Sequence, residues 1–405
     1  MIEDLARLEA PSAVHLAGRV TFVDVTSPDG ARARVEDGSG VTTIALGGCA
    51  APPDGAWIAL DGAWDGTRVE AQRIELLTQP IGERWRVHGE WVRLHEDDRR
   101  RMRALQRRAA IVRATRAFFD ERAFVEIETP SAVPSPGLDL HLDAFGVAGA
   151  PEERWLITSP EYQMKRVLSG GLERIYQVCR CFRRGERGDR HQPEFTMLEW
   201  YRALATSDDV MRDTEEMVAH VARAVLGTTQ VRGARGTIEL APPWDRLKVE
   251  DAFDRYAGVR IDDVLADEDR FYRLLTETIE PELGRARPVF LTEWPSSMAS
   301  LARLLPHRPD RADRFEAFAD ATELCNGFGE LTDPIEQRAR LERDRAERRV
   351  RGLPAYPLDE RFLAALEEGL PPCSGNALGV DRLVMLLLGE PCIDDVVAIP
   401  AARLV

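Results

Sequence analysis

The sequence predicts an α+β protein, with a small all-β barrel ahead of a larger domain of mixed strands and helices. Three observations carry this expectation. Residues 14–77 read as five short strands, 14–24, 31–36, 41–46, 56–62 and 67–77, with turn signals at Pro28-Asp29-Gly30, Asp37-Gly38-Ser39-Gly40 and Asp65-Gly66. Residues 99–121 carry Met102, Leu105, Ala109, Val112 and Phe119 at near-helical spacing. Residues 172–202 read as strand, basic loop, strand.

Taken in order, residues 1–79 fit an OB-type barrel. A barrel of that kind that binds single strands uses aromatic platforms and a cationic groove. This one holds 12 Asp+Glu against 6 Arg, with aromatics only at Phe22, Trp57 and Trp64. A structural or protein-docking role is therefore favoured over RNA binding. Residues 80–98 read as a linker, with Trp85 and Trp91 as docking anchors. The large domain spans 99–405. The arginines of its first helix (Arg99, Arg100, Arg101, Arg103, Arg107 and Arg108) read as a solvated face, with an acidic partner as the alternative.

Residues 125–129 alternate as a strand that Pro130 ends. A turn at 134–137, a strand at 155–158 and a helix at 162–168 follow. Residues 206–285 read as helices and short strands without site chemistry. Glu316, Glu323 and Glu330 are each seven apart, two helical turns, but Asn326-Gly327-Phe328-Gly329 would break a helix. The same run fits a strand pair equally well. Thr332-Asp333-Pro334-Ile335-Glu336 then starts a helix: a cap residue, proline in the first turn, glutamate just after. Its charged length, to Arg351, reads as solvated.

Composition excludes several classes. Lys+Arg number 54 and Asp+Glu 69, a net charge of −15, so no global basic footprint for nucleic acid exists. Lysine occurs only at Lys165 and Lys248. Six cysteines without a disulfide framework point to a reducing cytoplasm. The apolar run 383–388 is far too short to span a membrane, and the acidic start lacks a signal-peptide core. Cys179 and Cys181 lack two further ligands at metal spacing. No phosphate loop of the GxxxxGK type and no GxSxG nucleophile occurs.

The strand–loop–strand is the most informative stretch. Its loop, residues 183–190, carries four arginines and two glycines, and the chain returns with Phe195, Met197 and Glu199 on one parity. Arginine offers a planar fork to phosphate oxygens, and an aromatic ring can stack on a base. An ordinary amphipathic hairpin with a solvated loop also fits these residue types.

The full run FRRGERGDRHQPEFTMLEWYR closely resembles motif 2 of the class II aminoacyl-tRNA synthetases, lysyl type. FVEIETP, residues 124–130, resembles motif 1, and GNALGVDRLVMLLLG, residues 375–389, resembles motif 3. Three ordered motifs over roughly residues 100–405 are far more specific than one. Within the family, the resemblance is nearest to the paralogs that attach lysine to elongation factor P.

The resemblance implies a fold, an antiparallel sheet flanked by helices, and a homodimer through motif 1. It implies ATP as substrate with Mg²⁺, and activation of lysine or (R)-β-lysine as an adenylate. Arg183 matches the arginine bridging α-phosphate and carboxylate, His191 the β/γ-phosphate contact, Arg382 the γ-phosphate contact and Phe195 the adenine-stacking ring. Glu316 and Glu323 match the Mg²⁺ carboxylates. Glu199 and Glu330, with Tyr201 beside them, match the pair holding the substrate ε-ammonium. Glu161 matches the amino-group acceptor, Asn326 the carboxylate contact and Phe328 the aliphatic wall. Ser159 and Ala377 stand where lysyl-tRNA synthetases tend to have alanine and glycine, a difference that implies β-lysine. One departure is clear: the family reads FRNE where this chain has Phe182-Arg183-Arg184-Gly185-Glu186, so Glu186 is the substitute adenine contact. Elongation factor P is the implied acceptor. A tRNA ligase and a catalytically silent paralog that senses a cationic amino acid are the rivals.

Overall fold

The computed structural model describes residues 1–404. It divides into two compact units, one ending at Arg103 and one starting at Ala104. In the first, β1 (Ser12–Asp24), β2 (Arg32–Glu36), β3 (Val41–Ala45), β4 (Trp57–Trp64) and β5 (Val69–Thr78) close a barrel in the order β1-β2-β3-β5-β4. This closed five-stranded barrel is consistent with the OB-type arrangement expected. Alternate residues turn inward, and Val20, Val35, Ile44, Ile58 and Val69 are fully buried. Closure crowds the backbone at Gly18, where a Cβ would lie 2.7 Å from the Glu36 carbonyl oxygen.

The segment after the barrel packs on it within this unit. It holds α1 (Arg84–Val87) and the start of α2 (Glu90–Asp120). Arg19 lies over Trp85 at 4.4 Å and Trp91 at 5.0 Å, and Trp57 meets Trp91 edge-on at 5.7 Å. One of the barrel's arginines and one of its tryptophans are thus engaged internally. Helix α2 breaks at residues 96–99, where Asp97, Asp98 and Arg99 take positive φ.

The larger unit is built on one sheet. Its strands are β6 (Val125–Glu126), β9 (Arg174–Phe182), β10 (Glu194–Ala203), β13 (Asp245–Lys248), β14 (Val289–Pro295), β15 (Leu304–Leu305), β16 (Arg308–Ala319), β17 (Thr322–Gly329) and β18 (Cys373–Gly379). The order is β13-β14-β16-β17-β18-β10-β9-β6, with β15 on β16. Only the outermost pairs, β13–β14 and β6–β9, are parallel. Two small hairpins, β7 (Ala132–Val133) with β8 (Trp155–Leu156) and β11 (Gln230–Gly233) with β12 (Gly236–Glu239), lie off the sheet. The helices are α3 (Glu161–Ser169), α4 (Ser207–Leu226), α5 (Val249–Ala252), α6 (Glu268–Leu274), α7 (Pro334–Val350), α8 (Glu360–Gly369) and α9 (Val380–Leu388).

Residues 311–331 are therefore the strand pair β16–β17, not a helix. Helix α7 starts as expected, with the Asp333 side chain accepting from the amides of Ile335 and Glu336. Its charged length is not simply solvated, because Arg340 and Arg348 are buried. The arginine cluster of 99–108 is likewise not a free face. Arg99 pairs with Glu36 at 3.6 Å, Arg103 with Asp98 at 3.0 Å and Arg108 with Asp381 at 2.6 Å. Isolated charges at helical spacing look solvated until distant strands supply partners. Among the described residues, no helix is long and apolar enough to cross a membrane.

Candidate active site

One cross-strand row organises the site. Glu316 on β16 faces Asn326 on β17, Asn326 faces Ala377 on β18, and Ala377 faces Glu199 on β10. Directly paired residues in a sheet point to the same side. Four adjacent antiparallel strands thus present these side chains on a single face. The opposite parity of β10, Leu198 and Trp200, is fully buried in the core on the other side.

Two cavities open on that face. The larger, about 440 Å³, is lined by Arg183, Glu186, His191, Phe195, Glu316, Glu323 and Arg382. The smaller, about 150 Å³, is lined by Ser159, Glu161, Glu199, Tyr201, Phe328 and Glu330. Arg183, Asn326 and Ala377 line both, so the cavities are continuous. All the residues singled out from the sequence converge here.

In the larger cavity the cations are anchored by the backbone. The Arg183 amide donates to the Pro193 carbonyl at 2.9 Å, across the base of the β9–β10 hairpin. Its guanidinium lies 5.0 Å from the Phe195 ring, with a buried Nε that has no partner among the described residues. Arg382, in the first turn of α9, donates to the Glu323 carbonyl at 2.9 Å and carboxylate at 3.0 Å. It also meets His191 Nε2 at 2.7 Å. Guanidinium cannot accept, so His191 accepts there and carries its proton on Nδ1. Partial burial and Arg382 hold His191 below its ordinary pKa. Asp381, beside Arg382, is buried and accepts from the Thr196 amide at 2.8 Å, which fixes α9 against β10.

The two carboxylates here behave differently. Burial pushes Glu316 up to about 8, although Arg314 pairs with it at 2.7 Å. Burial also pushes Glu323 up, but Arg382, with Arg183 and Arg314, holds it below its ordinary value. In the smaller cavity, Glu199 accepts from Ser159 Oγ at 2.8 Å and Tyr201 OH at 2.6 Å. Burial, then the charge of Glu161, pushes it up to about 8.

Residues 83–403 match the family of class II tRNA synthetases (D, K and N). The chain belongs to the class II tRNA synthetases. An elongation factor P–(R)-β-lysine ligase from Proteus mirabilis is 41% identical over 309 residues, 74% of this chain and 95% of that one. Its counterpart from Klebsiella pneumoniae subsp. pneumoniae is 39% identical over the same shares. A lysine–tRNA ligase from Moorella thermoacetica is 39% identical over 320 residues, 73% of this chain and 64% of that one. This synthetase chain is accordingly a class II amino-acid ligase.

The altered motif 2 of this synthetase has a local explanation. Gly185 takes φ +89°, a conformation that favours glycine, and this carries Glu186 onto the cavity wall, 3.6 Å from Arg183. Arg184, in place of the family's asparagine, pairs with Asp143 at 3.0 Å. Asp143 in turn meets the fully buried Arg348 at 2.7 Å, and Arg348 also donates to the Leu142 carbonyl at 2.9 Å. Asp139 and Leu142 from this loop line both cavities. Arg348 on α7 thus ties the cavity wall to the motif 2 loop.

Sequence reasoning missed Lys165, Arg314 and Arg348. Arg314 was findable, since it stands two residues before Glu316 on one strand face. Lys165 was findable too, as one of two lysines in the chain and one helical turn after Glu161.

Proposed function

We propose that this synthetase activates (R)-β-lysine or lysine with ATP and transfers it to a lysine side chain of elongation factor P. The observation that carries the reading is the continuous cavity: a cation-lined chamber for a polyphosphate opens through Arg183 into a buried pocket bearing Glu199 and Glu330. In the first step a substrate carboxylate oxygen bonds to the α-phosphorus and pyrophosphate leaves. Arg183 neutralises the carboxylate and α-phosphate together, Arg382 and His191 hold the outer phosphates, and Phe195 stacks on the adenine. In the second step an uncharged amine attacks the acyl carbon, AMP leaves, and the amine loses its extra proton.

Glu316 and Glu323 fit a Mg²⁺ ion. Magnesium takes one or two protein carboxylates and completes its shell with phosphate oxygens and water. Burial, with the Glu323 charge adding to it, pushes the Glu316 carboxyl up even beside Arg314, so a further cation there would stabilise its charged form. The ion would supply charge neutralisation at the polyphosphate.

Support for a protein acceptor comes from the relatives. The ligase relatives are matched over 95% of their length, the tRNA ligase over 64% of its own. The barrel is the one feature that favours a tRNA enzyme, but it is acidic and its Arg19 and Trp57 are engaged internally. The full chain, incubated with labelled lysine or (R)-β-lysine, ATP, elongation factor P and bulk tRNA, is expected to label the protein and not the tRNA. Lysyl-tRNA formed at physiological salt, with elongation factor P unlabelled, would transfer the assignment to the tRNA enzyme. A cytoplasmic homodimer completes the reading. Motif 1 forms the sheet-edge strand β6, with Val125 and Glu126 exposed, and such an edge is suited to a second copy.

Amino-acid choice is expected to favour (R)-β-lysine over α-lysine. Its amine sits one carbon further from the carboxylate. Ser159 adds a hydroxyl that bonds Glu199, and Ala377 adds a methyl between Glu199 and Asn326. Ala377→Gly should shift kcat/KM toward α-lysine by on the order of tenfold, about what one methyl group discriminates. A wild-type preference for α-lysine, unmoved by that change, would remove these two positions from the selectivity account.

A further inference from the structure

We propose that Lys165 is a resident cation that balances one of the three carboxylates of the small cavity, leaving two negative charges for the two ammonium groups of a diamino acid. This positioning role rests on the reading of the cavity as the amino-acid site. Lys165 lies on α3 with its side chain 2% exposed. Its Nζ is 2.6 Å from Glu330 Oε2 and 3.2 Å from Glu161 Oε2. The rings of Phe328, Tyr201 and Phe362 surround it at 5.1, 5.8 and 5.9 Å. A cation is held favourably over such ring faces.

The geometry leaves the other valences open. Glu330 Oε2 meets Lys165 Nζ at 2.6 Å, and the buried Glu330 Oε1 has no hydrogen-bond donor among the described residues. Among the described residues, Glu199 holds only the hydroxyls of Ser159 and Tyr201. Glu161, Glu199 and Glu330 with Lys165 therefore carry two net negative charges when ionised. A substrate with two ammonium groups cancels them, while its carboxylate is matched by Arg183. Arg303 also faces Glu330, and Cys179 faces Glu199. Burial pushes Glu330 up to about 7, with Lys165 the chief group pulling it down. Without Lys165, Glu330 would keep a proton in the empty pocket and have to release it when substrate binds.

The test counts protons. Lysine is titrated calorimetrically into the full-length protein at pH 7.5, in two buffers of different ionisation enthalpy. Wild type is expected to release about one proton, chiefly from Glu199. Lys165→Met should release closer to two and bind on the order of a hundredfold more weakly at pH 7, with affinity recovering as pH rises. Lys165→Arg keeps the charge and should keep the wild-type count. A purely structural lysine would lower the melting temperature and leave the count unchanged, which overturns the proposal. If Lys165→Met does not fold, wild type alone decides: release of two protons means Glu330 is not balanced. Wild type that binds neither lysine nor (R)-β-lysine overturns the underlying reading of the cavity.

Discussion

Arg183→Ala is expected to lower lysine-dependent ATP–pyrophosphate exchange by on the order of 10²–10³-fold in kcat, the cost of removing a preorganised charge contact from a reacting centre. Arg183 lines both cavities, so on the proposed reading its loss would uncouple carboxylate from α-phosphate. Glu323→Ala should fall as far by a different route. Arg382 would lose a carboxylate 3.0 Å away, and the pair facing the polyphosphate would lose one member. The two variants are separable: Arg183→Ala impairs kcat at any Mg²⁺ concentration, whereas Glu323→Ala should be partly relieved by excess Mg²⁺. Exchange at the wild-type rate in both would dismantle the site described above.

The second large effect belongs to Glu199. Glu199→Gln should raise KM for the diamino acid on the order of 10²–10³-fold, as expected when one partner of a buried charge pair is lost. It should also change the pH profile. In the empty cavity burial pushes Glu199 up to about 8, so below that pH it is mostly neutral. An ammonium group requires the carboxylate, and binding therefore expels a proton. By linkage, KM for wild type falls as pH rises toward 8 and levels above it. The glutamine variant has no proton to expel there, and only the slope from Glu330, below about 7, should remain. Parallel wild-type and variant profiles across pH 6–9 would show that Glu199 does not meet the ammonium.

Much of this was legible in the residues because it was local. The barrel strands were marked by Asp-Gly turns, the start of α7 by Asp333 and Pro334, and the hairpin by its alternation. What was illegible depended on distant partners. Glu316, Glu323 and Glu330 had helical spacing, and only pairing with β14 and β18 makes their run a strand pair. Arg348 read as one more charge on a solvated helix, yet it is buried by a loop some 200 residues earlier. Lys165 stood out in the sequence only as one of two lysines, and its meaning came from Glu330 on another element. The site motifs were recognisable by resemblance, but the couplings behind them, Arg184 to Asp143 to Arg348, follow from no local pattern.

The scarcity of lysine has a consequence for a catalyst of this kind. An acyl-adenylate that escapes its cavity acylates whatever amine it meets, and the nearest protein is the enzyme itself. Only two side-chain amines exist in this chain. Lys165 is sealed in its ring cage, and Lys248 sits 2.9 Å from Glu293 with its side chain 43% exposed. Among side-chain amines, self-labelling would thus be confined to one held ammonium, while arginine, too basic to act as a nucleophile, supplies most of the remaining cationic side chains. The ligase would present its product to other proteins' lysines with almost no competition from its own.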